Sequence, residues 1–142
     1  MCGRFNLAYT TSDVAATLPG IICDFWRLPN FNMAPSEKIP TLTKNGDILS
    51  GSMMQWGIPI NTLSGRKVLM SNTRTERLIA QDLLDDSTDR LCFIPATGFY
   101  EWAKDETKGH IKTPFNVQIQ DTDVFMMVGI WRETSDFSCC SI

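Results

Sequence analysis

Histidine is almost missing from this chain. His110 is the single example, and no Cys-x-x-Cys pair accompanies it. A structural zinc centre draws its ligands mainly from those two residue types, so none is expected. A nucleophile that depends on a histidine base is excluded as well, unless His110 supplies it. Long apolar runs are also lacking: none is long enough to span a bilayer, and no charged-then-apolar leader opens the sequence. The expectation is a protein of the cytoplasm or an equivalent reducing space. A disulfide framework is lacking too, because the five cysteines (Cys2, Cys23, Cys92, Cys139 and Cys140) are odd in number and irregularly spaced. Finally, there is no excess of positive charge. The net charge of −3 argues against a bulk nucleic-acid binder. Any phosphate contact must come from a local patch, with Arg4, Arg66, Lys67, Arg74 and Arg77 as candidates that could equally be solvated charges.

What is present describes one globular domain over residues 1–142. Hydrophobic residues make up 43% and charged residues 20%, which separates the chain from disordered sequences. No repeat, low-complexity tract or linker divides it. "TSDVAATLPG" reads as a short helix with Thr11 or Ser12 as N-cap and a Pro-Gly stop. "IPTLTKNGDILSGSMMQW" reads as a hairpin turning at Asn45-Gly46. Apolar residues at 78, 79, 83 and 84 predict an amphipathic helix over 75–84. Strands follow around "LCFIPA", "GFYEWA", "PFNVQIQ" and "VFMMVGIW". The terminal "CCSI" formally fits a prenylation box but lacks a polybasic stretch, and it reads as part of a strand. The fold class expected is α+β, with a mostly antiparallel, curled or barrel-like sheet and a few short helices.

Cys2 stands directly behind the initiator methionine. A small residue there permits removal of Met1, after which Cys2 carries a thiol and a free α-amine on one carbon skeleton. No internal residue can imitate that pair of nucleophiles. In "GFYEWA", Glu101 lies between Tyr100 and Trp102 on a strand expected to be mostly buried. Partial desolvation would suit its carboxyl to exchange protons near neutrality, and the alternative is an edge-strand charge facing water. In "SNTRTERL", Asn72 either caps a helix or turn or orients a nucleophile, and Arg74 has the geometry to grip a phosphate. Asn32 and Pro35 in "FNMAPSEKIP" read as a rigid loop.

Together the stretches "MCGRF", "FNMAPSEKIP", "MQWGI", "SNTRTE", "CFIPATGFYEW", "TPFNV" and "VGIW", in that order, resemble the SRAP family of SOS-response-associated peptidases. The family shields abasic sites in single-stranded DNA. The resemblance implies removal of Met1, Cys2 as the nucleophile that links to DNA, Asn72 as a holder of its amine and Glu101 as acid/base. It implies phosphate contacts from Arg4 and Arg74, and aromatic contacts near the DNA cleft from Trp56 and Trp102, with core packing as the alternative for both. It implies single-stranded DNA with abasic sites as partner, a nucleoid or nuclear setting, and no metal, cofactor or membrane.

The chain departs from the family near its end. Relatives carry a later histidine in an H-x-R-M-P-like segment, and His110, in a turn before "TPFNV", does not replace it. Two other readings stand beside this one: an N-terminal-nucleophile cysteine peptidase, against which the lack of a well-placed histidine weighs, and an inactive module binding single-stranded DNA or protein, which the departure favours. A strand ending at Ile142 is also expected to leave an open edge through which chains could associate.

Overall fold

The computed structural model describes residues 3–17, 20–22, 28–62, 64–74, 76, 90–104 and 112–142. Its larger sheet is built around the hairpin of β4 (Lys38–Asn45) and β5 (Ile48–Trp56). Asn45 opposes Ile48, so the two-residue loop is Gly46-Asp47, one position later than the sequence reading placed it. Gly46 takes the first loop position with φ 60°, a left-handed backbone that glycine adopts without steric cost.

β8 (Arg90–Ala96) pairs with the other side of β4, and β11 (Phe125–Glu133) pairs with β8. β12 (Ser138–Ser141) pairs with β11, and all these contacts are antiparallel. β12 then lies parallel to β5, with Cys139 opposite Gln55 and Cys140 opposite Trp56. That last contact closes β5-β4-β8-β11-β12 into a barrel. The short β2 (Ile21–Ile22) joins the opposite end of β5 in parallel.

The closure corrects one expectation. β12 was expected to leave an open edge for association, yet it is hydrogen-bonded to β11 on one side and β5 on the other. "CCSI" forms barrel wall, and Cys139 and Cys140 have no exposed surface. The wall is tight beside it. A Cβ added at Gly129 of "VGIW" would fall 2.5 Å from the Ser141 carbonyl oxygen and 2.9 Å from Ile94 Cδ1, so only glycine fits.

A second sheet has the order β10-β9-β1-β3, all antiparallel: β10 (Lys112–Val117), β9 (Gly98–Lys104), β1 (Phe5–Leu7) and β3 (Asn30–Met33). A two-stranded ladder, β6 (Ile58–Asn61) with β7 (Lys67–Met70), completes the strands. The core between the sheets is formed by Phe5, Leu7, Met33, Ile39, Met54, Trp56, Cys92 and Ile94, with partly buried Phe99 packed against it.

Helix is scarcer than the α+β reading implied. Among the described residues it is limited to α1 (Thr11–Thr17) and Glu76. Apart from Glu76, the helix expected over 75–84 lies outside the described residues. The cap of α1 also sits one residue earlier than expected. Thr10 donates from its backbone N–H (2.8 Å) and its hydroxyl (2.7 Å) to the Asp13 carboxylate, a capping-box arrangement that satisfies a donor left over at the helix start. These bonds hold the Asp13 carboxyl below its ordinary range. Among the described residues, no helix is long and apolar enough to cross a membrane.

Candidate functional site

β1 is the strand that leads back to the chain's start, and it runs between β9 and β3. Phe5 opposes Phe99 and Asn6 opposes Gly98, so moving toward the N-terminus along β1 means moving toward Glu101 and Trp102 along β9. The ladder continues past β1: Tyr100 N–H donates 2.8 Å to the Arg4 carbonyl. At Gly3 the chain reaches Trp102, whose Cζ3 lies 4.0 Å from where a Cβ would stand. Cys2 lies outside the described residues, as do Arg77, Cys23 and His110.

Glu101 is half-buried on β9, opposite Phe115 of β10. Glu101 is paired to β10 on one side, and the ladder to β1 on the other side is recorded up to Tyr100. Strand alternation sets Glu101 on the face of Phe99 and Phe5, whereas Tyr100 and Trp102 take the opposite face. Trp102 is part-exposed at 39%.

Arg4 is exposed and donates from Nη1 to Asn32 Oδ1 at 2.9 Å. Asn32 sits on β3 rather than in the rigid loop read from the sequence. The loop itself is real and begins at Ala34. Ser36 has φ 76°, its N–H donates 2.7 Å to the Trp56 carbonyl, and the Ala34 N–H donates 3.0 Å to the Glu37 carboxylate.

Trp56 corrects a second expectation. It has no exposed surface, so it cannot stack on a base; core packing is the alternative its position satisfies. Its ring meets Phe5 edge-on at 5.3 Å. Its indole N–H donates 2.7 Å to the Ser71 carbonyl. Ser71 immediately precedes Asn72, and the same carbonyl accepts the Ile142 N–H at 3.0 Å. On the other side of Asn72, Thr73 N–H donates 2.8 Å to the Ile142 carbonyl, and its hydroxyl lies 2.7 Å from Ser141 Oγ. Asn72 is therefore held between two residues anchored to Trp56 and the end of β12. It is half-buried, and its Nδ2 donates 3.3 Å to Ser71 Oγ. Arg74 follows, exposed. Arg66 and Lys67 are exposed at the β6–β7 loop.

The structure thus gathers Arg4, Glu101 and Trp102 around the N-terminal end of β1. It connects Asn72 to that end through Trp56 and Phe5. Ser71 and the anchoring roles of Asn32 and Trp56 were missed from sequence, since they act through a backbone carbonyl, a side-chain amide and an indole N–H that no spacing announces. Cys92, Cys139 and Cys140 are all buried. The Cys140 sulfur beside it, together with burial, holds the Cys92 thiol far above its usual range. Among the described residues, no group of three or more metal-ligating side chains exists.

A closed, mostly antiparallel barrel with a flanking sheet, whose first strand runs with its N-terminal end toward Glu101 and Trp102 of β9, defines the class. The chain belongs to the SRAP family (SOS response associated peptidase), which residues 1–141 match. It is 26% identical over 138 residues to the abasic site processing protein YoqW of Bacillus subtilis, covering 94% of this chain and 61% of that protein. It is 26% identical over 142 residues to the abasic site processing protein YoaM of the same organism, covering 95% and 61%. The chain therefore spans about 61% of the length of these curated relatives. In fold it resembles a phage-related protein from Bordetella bronchiseptica, with TM-score 0.74 at 19% identity over 99% of this chain and 68% of that one. A protein from Bacteroides thetaiotaomicron gives TM-score 0.68 at 17% identity over 99% and 67%.

Proposed function

We propose that this protein binds single-stranded DNA and captures abasic sites covalently through Cys2, after Met1 has been removed. The observation that carries the reading is the antiparallel run of β1 beside β9, which brings Gly3 against Trp102 and next to Glu101. Cys2 is the residue joined directly to Gly3 in the sequence. The relatives named as abasic site processing proteins support DNA carrying such lesions as the partner.

An abasic deoxyribose opens to an aldehyde. A free α-amine titrates near ~7.7–8.0, so a useful fraction is neutral and nucleophilic at neutral pH. The Cys2 nitrogen attacks the aldehyde carbon and gives a carbinolamine, which loses water to form an imine. The Cys2 sulfur then adds to the imine carbon, and the thiol proton passes to nitrogen. The product is a five-membered thiazolidine, a ring that only an N-terminal cysteine can close. Each step moves a proton, and Glu101, half-buried beside the strand end, is the group assigned to ring opening and dehydration. Asn72 holds the amine, from a backbone fixed on both sides by Ser71 and Thr73. Arg4 and Arg74, both exposed, hold phosphates flanking the lesion. Trp102 offers a part-exposed ring to a neighbouring base. Release of Met1 by the same Cys2 group would account for the word peptidase in the family's description.

The test is denaturing electrophoresis after incubation with an abasic single strand. The processed protein gives a denaturant-resistant adduct, Cys2→Ala gives none, and Cys2→Ser gives no stable product because oxygen cannot close the same ring. Equal adduct from Cys2→Ala would refute the mechanism. DNA-independent cleavage of a peptide substrate, without any adduct, would instead select the cysteine-peptidase reading.

A further inference from the structure

On the Tyr100 face of the smaller sheet lies a concavity of about 390 Å³. We infer that it is a subsite for a single unstacked nucleobase beside the lesion, with preference for a base that presents an exocyclic amine. The inference rests on the DNA reading above and adds a specificity to it.

Asn6, 3% exposed, forms the floor. Its Nδ2 donates 2.9 Å to Asn116 Oδ1, and its own Oδ1 accepts the Thr97 hydroxyl. With its Oδ1 turned to Asn6, Asn116, which lines the cavity, has its amide N–H groups to offer as donors. Gln118, two residues on, donates from Nε2 to the Thr97 carbonyl at 3.4 Å, which leaves its Oε1 as an acceptor. A donor and an acceptor on neighbouring residues can pair with the edge of any base, so the choice among bases falls to the charged groups around them. Gly98 of "GFYEW" makes room for this arrangement: a Cβ there would stand 2.5 Å from Asn116 Oδ1 and 3.1 Å from Asn6 Nδ2.

The walls fit the same ligand. Phe31 is 62% exposed, a platform for stacking. Tyr100 beside it is fixed by its hydroxyl, which donates 2.9 Å to the Phe31 carbonyl. The rim carries Asp121 and Asp123, and among the described residues no lysine or arginine lines the cavity. Phosphate is therefore repelled, and amine donors are favoured over the carbonyl edge of thymine. The phosphate attached to such a base has a place, because Arg4 lies at the same strand position as Tyr100. That arginine also disfavours a cationic peptide side chain as the occupant.

The experiment uses Cys2→Ala, which removes cross-linking and isolates non-covalent binding. Fluorescence anisotropy compares abasic single strands with A, C, G or T on each side of the lesion. Adenine, cytosine or guanine on one side should bind roughly five- to tenfold tighter than thymine, which has no exocyclic amine. Asn116→Leu and Gln118→Leu should erase that difference, and Phe31→Ala, at an exposed position, should weaken every strand with a base there. Equal affinity for all four bases, a preference for thymine, or discrimination that survives both amide variants would overturn the subsite. So would displacement of the DNA from this groove by a lysine-rich peptide in wild type but not in Phe31→Ala. Cross-linking by the unsubstituted Cys2 protein is scored in parallel, so failure of the subsite and failure of covalent capture are told apart.

Discussion

The indole N–H of Trp56 donates a 2.7 Å hydrogen bond to the carbonyl of Ser71, the residue before Asn72. A fully buried core tryptophan thereby fixes the backbone next to Asn72, the residue proposed to hold the Cys2 amine. Trp56→Phe keeps most of the apolar bulk and removes the donor. It should cost about 1–2 kcal/mol, a lost hydrogen bond with some lost volume. It should also slow cross-linking more than it weakens DNA binding. Chemical denaturation beside single-turnover kinetics checks this. A variant that is destabilised but reacts at the wild-type rate would restrict Trp56 to packing.

How much of this was legible in the sequence depends on the range of the interaction. β8, β9, β11 and the β4–β5 hairpin announce themselves through local apolar patterning and a glycine turn. The one-residue shift at Gly46 and the cap at Thr10 rather than Thr11 were not legible, because both depend on which of two adjacent residues takes the special backbone position. Barrel closure was hidden more deeply. The parallel contact of Cys140 with Trp56 joins segments far apart in sequence, and nothing in "FSCC" says whether its edges are free or paired. Trp56 itself was misplaced for a related reason. An aromatic in a motif reads alike whether it faces a ligand or the core, until its exposure is known.

Glu101→Gln preserves shape and removes proton exchange. Cross-linking should slow by about 10²-fold or more, the usual range for loss of a general acid/base, while non-covalent affinity stays nearly constant. Stopped-time electrophoresis and anisotropy separate the two quantities. Wild-type cross-linking rates in this variant would assign Glu101 a structural role.

Arg4→Ala and Arg74→Ala should each weaken binding to single strands and lower the slope of log affinity against log salt by about 0.7, the value for one phosphate contact on a single strand. Intact duplex should bind poorly to wild type and variants alike. A slope unchanged in both variants would remove these arginines from the phosphate contacts.

Thiol chemistry gives an independent check on the fold. Cys92, Cys139 and Cys140 are buried, and Cys92 is held protonated by the neighbouring sulfur and by burial. The raised pKa means that its thiolate is suppressed throughout the neutral range. At neutral pH, iodoacetamide should leave these three unmodified in the native protein and alkylate all five cysteines after denaturation. Peptide mapping reads the outcome, and rapid native labelling of Cys92 or Cys140 would contradict the closed barrel.

Capture as proposed leaves both the amine and the thiol of Cys2 on the sugar carbon. Intact mass of the adduct, before and after borohydride, tests it most directly. Capture predicts the mass of the protein without Met1 plus that of the abasic strand, less one water, with no gain of hydrogen on reduction because the ring contains no imine. An adduct that takes up two hydrogens would be a Schiff base left open, and an adduct that retains Met1 would place the linkage elsewhere; either would contradict the account.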